Sequence, residues 1–397
     1  MKKSVMAPPV RTMLPLCVAG VLLALPLAAT AADQDLRWSV AAGLGYDSNP
    51  YRAPGDSYVN YALISQPTVP ANEKSGFYLD ADAGVDYRLA HSGASSWWLG
   101  YDLDFSRYLG SSLSNADVYK HVLSLEWENI FEQKGARERA LSARGFFSKV
   151  KDIYTDRDDG ERDVSGADRS SYDGVGVGVE YKNRLSALKY TVSGSYEVRD
   201  YGNAGAAKEY DQNRLVLAGE VSYPLAKKTD ISVGYTYKNV DYDKREARRK
   251  LDALYSGELL NYVYSTLDVS LRQSVTQQWV MYFDFAYTTR TDEFEGYNDY
   301  TKNAFQVRAL FSPSDTLDMK FTAGVWQRDY DNAFAFENID QPKKEYDGLD
   351  LDIKAELKRD ESSRYWSKLS YTSEDTNDDR YAYDRVQFLV GMAWEFK

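Results

Sequence analysis

Two pairs of carboxylates are the side chains in this 397-residue chain whose spacing most readily suggests chemistry. Asp80 and Asp82 stand two positions apart, as do Asp102 and Asp104, so on a β-strand each pair shares one face. Such a pair could bind a hard cation or supply the acid and base of a glycosidase. Calcium prefers about six to eight oxygen ligands, and neither pair brings that many within reach. We therefore predict solvated charges on a strand face and no metal site.

Histidine, which general-base and nucleophilic catalysis commonly uses, occurs only as His91 and His121. His91 falls in a predicted turn and His121 near the outer end of a predicted strand, and neither has an evident Ser or Asp partner in the sequence. The acidic run at residues 156–161 lacks the ligand spacing of an EF-hand, and the chain has no phosphate-binding loop, dinucleotide fingerprint or zinc spacing. We therefore predict a protein that is not an enzyme and uses no cofactor.

The elements that must position these residues are β-strands with one apolar and one polar face. Residues 349–357 show the pattern most clearly, because Leu, Ile and Ala at odd positions alternate with Asp, Lys and Glu at even positions. The pattern recurs in segments of about ten residues along almost the whole chain, which is the length of a strand that crosses a bilayer. The sequence therefore predicts an all-β fold, a closed antiparallel transmembrane β-barrel.

The parity of the apolar residues gives about 16 strands. The segments at 123–127, 141–147 and 365–371 show the pattern most weakly, so 14 strands is the alternative. Short polar connections, which we predict to be periplasmic turns, occur at residues 91–95, 183–187, 224–228, 273–276, 312–315 and 360–363. Longer connections, which we predict to face outward, occur at residues 47–75, 155–171, 243–258 and 331–345.

Residues 1–31 have the features of a cleaved signal peptide. Three basic residues flank or precede an apolar run, and Ala29-Thr30-Ala31 offers small residues for a cleavage site, so residues 32–397 would form the barrel. The single cysteine, Cys17, lies in this segment, which would leave the mature chain without thiol chemistry. Removing the segment takes away three basic and no acidic residues and changes the net charge from −12 to −15. This charge argues against nucleic acid as a partner.

The last predicted strand ends in Gly391-Met392-Ala393-Trp394-Glu395-Phe396. Gly391, Trp394 and Phe396 resemble the signal that the barrel-assembly machinery reads in bacterial outer-membrane proteins. The chain departs from that pattern at Lys397, because the aromatic residue normally stands last. The resemblance implies that the barrel-assembly machinery is a partner and that the protein lies in the outer membrane of a Gram-negative bacterium, in contact with its lipids and lipopolysaccharide.

A Tyr46-Asp47-Ser48-Asn49-Pro50 segment follows the first predicted strand. It resembles the start of several families of Gram-negative barrel porins, such as the β-barrel porins of exopolysaccharide loci and, more distantly, the barrel of surface lipoprotein assembly modifiers. No helical repeat domain precedes the barrel here, unlike in most such modifiers. The structural alternative is a polar turn in which Asn and Asp accept positive φ and the proline ends the strand ladder.

The inner face of the predicted barrel carries charges of both signs. The candidates to line the lumen are Asp80, Asp82, Asp86, Asp102, Asp104, Arg144, Arg199, Arg214, Arg272, Asp284, Arg308, Arg328, Asp350, Asp352 and Lys354. A barrel of this strand number can hold an aqueous channel, and its acidic excess would weakly favour cations. Alternatively, acids and bases pair across strands and close the lumen, with residues 47–75 as the loop most able to fold inward.

Aromatic residues also fall on the inner parity, among them Tyr78, Tyr282 and Trp326. Rings beside acids could form a sugar-stacking track, or they could be ordinary strand residues. The sequence therefore predicts a porin-like channel that passes small polar solutes or oligosaccharides by diffusion. The alternatives are a non-conducting barrel that binds or assembles surface polysaccharide or lipoprotein, and a lipid-modifying barrel enzyme.

Overall fold

The computed structural model describes residues 35–134, 137–156, 161–162, 170–202 and 210–396. The predicted signal peptide lies outside the described residues, as do residues 157–160 of the acidic run. Among the described residues, no helical segment has the length and hydrophobicity that crossing a membrane requires.

Sixteen strands close into one antiparallel barrel. They are β1 Leu36–Asp47, β2 Gly76–Ser92, β3 Ser95–Tyr108, β4 Val118–Lys134, β5 Arg137–Lys151, β6 Tyr172–Leu185, β7 Leu188–Asp200, β8 Gln212–Ala226, β9 Thr229–Arg248, β10 Tyr255–Ser274, β11 Trp279–Asp292, β12 Tyr300–Phe311, β13 Leu317–Phe334, β14 Lys343–Lys358, β15 Ser363–Thr376 and β16 Tyr383–Phe396. Each strand pairs with the next, and β16 pairs back onto β1 from Trp38 opposite Phe396 to Asp47 opposite Gln387. The predicted count of 16 is confirmed, and the alternative of 14 is wrong.

The barrel has a turn end and a loop end. At the turn end, two residues join β2 to β3, and two residues join β6 to β7. The first strand, β1, begins at this end, and the last strand, β16, finishes there. The six short connections predicted from the sequence all lie at this end. The loop end carries the longer connections, including residues 48–75 between β1 and β2. This asymmetry is typical of barrels with short periplasmic turns and longer extracellular loops.

The outer face of the barrel is apolar. On β14, Leu351, Ile353 and Leu357 are exposed on this face by 40–49%, while the aspartates and lysines between them point inward. Aromatic rings stand near both ends of the face: Trp38 stacks on Phe396 at 4.0 Å at the turn end, and Tyr46 meets Phe77 edge-on near the loop end. Exposed apolar side chains on every strand make a belt suited to lipid, with rings at headgroup depth.

Four strands are longer than the sequence analysis predicts. Residues 243–258 and 331–345 were expected to be loops, but β9 and β10 leave only residues 249–254 between them, and β13 and β14 leave only 335–342. On β9 the outer face turns polar at Asn239 and Asp241, whereas Val240 and Tyr242 on the inner face are buried. The ladder therefore continues above the apolar belt because the interior stays packed there, and outer-face hydrophobicity alone underestimates the strand length.

Candidate functional site: the barrel lumen

The structure places all fifteen predicted lumen residues on the inner wall, but it divides them between different surroundings. Seven line or adjoin one large cavity. Of the other eight, four form ion pairs, Arg328 enters an aromatic cluster, and Arg214, Asp86 and Asp350 lie elsewhere on the wall. We call these two regions the charged cavity and the tyrosine–arginine layer, and define each below.

The charged cavity has a volume of about 810 Å³ and lies against β1–β5 and β13–β16. Its acidic side is formed by Asp80 and Asp82 of β2 and Asp102 and Asp104 of β3. Asp82 stands directly opposite Asp104 in the β2–β3 ladder, which brings two like charges side by side. The nearest basic partner is Arg144 of β5, whose Nη2 is 3.8 Å from an Asp102 oxygen. Such a cluster is tolerable where solvent can reach it.

The opposite side of the charged cavity carries both signs. Lys354 lies 2.7 Å from Glu356, and Lys368 lies 3.2 Å from Asp352, so these cations are paired on their own wall. Among the residues that line the cavity, six are basic and seven are acidic, which leaves one negative charge in excess. The acidic excess lies on β2 and β3, and the described residues contain no group of three His, Cys, Asp or Glu side chains that could hold a metal ion.

Most of the predicted arginines on the other strands are engaged with neighbours. The pairs are Arg199 with Glu197 at 2.8 Å, Arg272 with Asp230 at 3.0 Å, and Arg308 with Asp284 at 3.0 Å, and Arg214 Nε donates to Gln212 Oε1 at 2.8 Å. Two smaller cavities of about 330 and 410 Å³ lie against β9–β12 and β6–β10. Asp86 and Asp350 also lie on the inner wall, opposite Gly100 and Gly324 respectively.

The tyrosine–arginine layer fills the loop end along β9–β14. It consists of Tyr242, Tyr262, Tyr300, Tyr330, Tyr346, Arg290 and Arg328, all of them 0–5% exposed. The Arg290 guanidinium lies 4.2 Å from the Tyr262 ring and 4.4 Å from the Tyr300 ring, and Arg328 lies 4.2 Å from the Tyr346 ring. Arg290 also donates to the carbonyl of Asn298 through Nε and Nη2 at 3.0 and 2.9 Å. A desolvated cation between rings is strongly held, so this layer is a packed core inside the barrel.

Solved structures, and no family model or curated protein, are similar to this chain. No protein-family model matches the chain, and no curated protein matches it. Among solved structures, OccAB3 of Acinetobacter baumannii is similar at 7% identity, with 92% of this chain and 100% of that chain covered and a TM-score of 0.50. OmpT of Vibrio cholerae matches at 11% identity, 91% and 97% coverage and a TM-score of 0.45. An anion-selective porin from Comamonas acidovorans matches at 10% identity, 91% and 98% coverage and a TM-score of 0.44.

The likeness to OccAB3 concerns the fold alone. The fold is that of an outer-membrane β-barrel. This agrees with the closed ladder of 16 strands, the apolar outer face and the charged lumen.

The segment after β1 in this outer-membrane barrel is a buried hub. Asp47 is fully buried and accepts hydrogen bonds from Tyr108 Oη at 2.6 Å, Gln387 Nε2 at 3.1 Å and Arg385 Nε at 3.1 Å. Asn49 is also fully buried, and its side chain bonds both the amide and the carbonyl of Ala53 at 2.8 Å. The interpretation as a simple polar turn is therefore incomplete, because these residues join β1, β3 and β16 and clamp the start of the first loop.

One detail of this turn differs from the interpretation as a polar turn, and another agrees with the alternative of an inward-folding loop. Positive φ falls on Arg52, at 48°, and on none of Asp47, Ser48 or Asn49. The start of the first loop does fold inward, because Pro50 and Arg52 line the charged cavity. The side-chain amide of Asn49 and the left-handed backbone of Arg52 make the tight turn, and Asp47, Ser48 and Asn49 keep negative φ.

The first loop then reaches across the loop end. Tyr61 meets Phe336 edge-on at 5.3 Å, and Asn338 donates to the Tyr61 carbonyl at 2.9 Å. Phe336 N in turn donates to a carboxylate oxygen of Asp378, in the loop between β15 and β16, at 2.8 Å. Arg380 donates to the same carboxylate at 2.8 and 2.7 Å. These contacts, which we call the loop latch, connect three loops over one side of the mouth.

The loop latch holds a buried carboxylate in its charged form. Burial raises the pKa of Asp378, but hydrogen bonds from Arg380 and the charges of Lys344 and Arg380 outweigh it, so the pKa is lowered overall. The side chain of Asp378 is fully buried. The latch therefore depends on an ion pair that stays charged at neutral pH.

The three aromatic residues proposed as a track do not form one. Tyr282 lies beneath Arg308 at 4.6 Å, Trp326 beneath Lys302 at 4.3 Å, and Tyr78 packs on Tyr108 and is 5% exposed. The sequence analysis did not name Trp366, which also faces inward and lines the charged cavity. Its surroundings depend on glycines of two other strands, so no local signal around Trp366 could have singled it out.

Each histidine has one hydroxyl group within hydrogen-bonding distance. His91 Nδ1 is 3.1 Å from Ser96 Oγ near the turn end, so it has a serine neighbour that the sequence did not suggest, but both side chains are exposed. His121 Nδ1 is 2.8 Å from Tyr101 Oη on the outer face. Neither contact includes a carboxylate that would orient the ring for base catalysis.

The residues of the predicted assembly signal divide between the two faces of β16. Phe396 points outward and stacks on Trp38 at 4.0 Å, and Trp394 shares its parity. Gly391 points inward opposite Gly43 of β1, where the Trp366 ring covers both glycines. Gly391 therefore has a packing role in the folded barrel besides any role in assembly.

Proposed function

We propose that this protein is a channel in the outer membrane of a Gram-negative bacterium, through which small polar solutes diffuse. The observation that carries the proposal is the charged cavity. Its acidic cluster on β2 and β3 has few basic partners, and such a surface is stable only against solvent.

The route that we propose follows the wall of β1–β5 and β13–β16. The tyrosine–arginine layer fills the loop end along β9–β14, so solutes would pass along the wall that it leaves open, beside the loop latch. One excess negative charge among the lining residues favours cations weakly, because the paired lysines and arginines of β14 and β15 offset most of the acidic field.

Conductance of the purified protein in planar bilayers tests this function. We expect discrete channels and a reversal potential in a KCl gradient that indicates a cation preference of about two-fold, as a nearly balanced lumen should give. The absence of any channel at several voltages would contradict the proposal.

One observation favours a second function. The loop latch closes part of the mouth with buried ion pairs, as a barrel that binds a surface polymer without conducting would require. A silent bilayer together with binding of surface polysaccharide to the protein would support this second function. We propose no enzymatic role, because neither histidine has a carboxylate partner.

A further inference from the structure

The Trp366 ring lies over glycines of two neighbouring strands. An added Cβ at Gly391 would stand 2.6 Å from Trp366 Cζ2, and one at Gly43 would stand 2.9 Å from Trp366 Cη2. The indole therefore lies flat across two glycines of β16 and β1, with its other face towards the charged cavity. A side chain at either glycine would lift the ring from the wall.

The open face of Trp366 has no protein partner. Among the described residues, no ring stacks on Trp366, no cation lies over it, and its indole N–H donates to no protein group. Trp326 lies on Gly348 in the same flat way, but the Lys302 ammonium covers it at 4.3 Å. Both indoles therefore lie flat on glycine backbone, but a cation covers the open face of Trp326 and no described cation covers that of Trp366.

Hydrogen-bonding groups stand at both edges of the uncovered indole. One transverse row of the ladder runs Glu356, Trp366, Gly391, Gly43, Asp80 across β14, β15, β16, β1 and β2. The strand spacing puts the two carboxylates about 19 Å apart along the curved wall. A flat apolar floor between two acidic edges, with Lys368 and Arg364 on the same strand as the indole, has room for a sugar ring.

We propose that Trp366 is the stacking platform of a saccharide-binding subsite that takes a neutral pyranose ring of a glycoside or oligosaccharide. The axial C–H groups of one sugar face would pack on the indole, and hydroxyl groups of that ring and of its neighbours along an oligosaccharide would donate to Glu356 and Asp80. Neutral sugars fit because the acidic edges repel anions while the paired cations of β14 and β15 reduce the attraction for simple cations. The proposal deepens the proposed function by naming a solute class, but binding does not require passage.

Saturation-transfer NMR on the detergent-solubilised protein, with maltotetraose and cellotetraose as probes, tests the subsite. We expect saturable binding with the strongest saturation on the C–H groups of one sugar face. Trp366→Leu should weaken binding about ten-fold, and Trp366→Phe, which keeps a smaller ring, about three-fold. Trp326→Leu is the matched control and should leave binding unchanged within about two-fold, since Lys302 covers that indole.

Three results would overturn the subsite: no binding of either probe, equal saturation of both sugar faces, or undiminished binding by Trp366→Leu. If Trp366→Leu fails to fold, the affinities of Trp366→Phe and Trp326→Leu for the probes are compared with each other. Equal affinities of these two variants would overturn the proposal. The bilayer experiment reports separately on passage. Binding without conductance would reject the channel and support the subsite. Conductance without binding would support the channel and reject the subsite.

Discussion

The charged cavity and the tyrosine–arginine layer are built on the same alternating strands, yet one leaves about 810 Å³ of space and the other is packed to 0–5% exposure. In the cavity, Asp82 and Asp104 face each other without a cation between them, whereas in the layer Arg290 lies between two rings. Parity decides which face a side chain occupies. The partner in register decides whether that position is open or filled.

The strongest test of this contrast removes one cation from each region. Arg290→Ala should lower the free energy of unfolding by about 3–5 kcal/mol, because it removes a desolvated cation from two rings and two bonds to the Asn298 carbonyl. Lys354→Ala, in the cavity, should cost less than about 1 kcal/mol, because its ion pair is solvent-exposed. Urea unfolding of both variants in lipid vesicles measures the difference. Equal losses would mean that the two regions are packed alike.

The hub between the cavity and the first loop should give an intermediate effect. Asp47→Asn keeps a hydrogen-bond acceptor for Tyr108 but leaves the Arg385 guanidinium without its counter-charge, so we expect a loss of about 2–3 kcal/mol. The first loop should also become sensitive to protease, because the hub holds its start. Protease resistance equal to the parent protein, with stability unchanged, would show that Asp47 does not clamp the loop.

The fold was readable from the sequence because its dominant signal is local. The odd and even positions of residues 349–357 meet lipid and lumen, and this contrast repeats on each strand. Strand length was less readable. Above the bilayer, Asp241 faces solvent on the outside, and only the buried Tyr242 on the inside shows that β9 continues.

The site was readable only in part, for a related reason. The sequence could assign Trp326 and Trp366 to the inner wall by parity, but it could not show that Lys302 covers the first and two glycines support the second. These contacts depend on the register between strands, which the parity of each strand by itself does not fix. The burial of Asp47 could not be predicted either, because its partners Arg385 and Gln387 follow it by more than 300 residues.

A smaller effect should come from the acidic side of the cavity. Asp82→Asn with Asp104→Asn should lower the ratio of cation to anion permeability by about two-fold, because it removes two charges from the β2–β3 wall. Stability should stay equal or rise by about 0.5 kcal/mol, since the two like charges stand opposite each other. Reversal potentials in a salt gradient measure the ratio. Asp347→Asn, on the exposed outer face of β14, is the control and should leave it unchanged.

The smallest expected effect concerns acid and the loop latch beside the layer. Because the folded-state pKa of Asp378 lies below its ordinary value of 3.8, the stability that this carboxylate contributes is complete above about pH 3.8 and is lost only as the pH falls through the lowered pKa. Acidification from pH 7.5 to pH 5 should therefore leave the latch closed, with no change in the rate of open–closed transitions in bilayer recordings.

Arg380→Gln should make the latch acid-sensitive. It removes the two bonds of 2.8 and 2.7 Å to Asp378, so burial then raises the pKa of a carboxylate whose nearest remaining cation is Lys344 at 3.8 Å. We expect transitions to become more frequent at pH 5 than at pH 7.5 in this variant alone. The same acid response in the parent protein would place the titrating group outside the loop latch and would contradict this prediction.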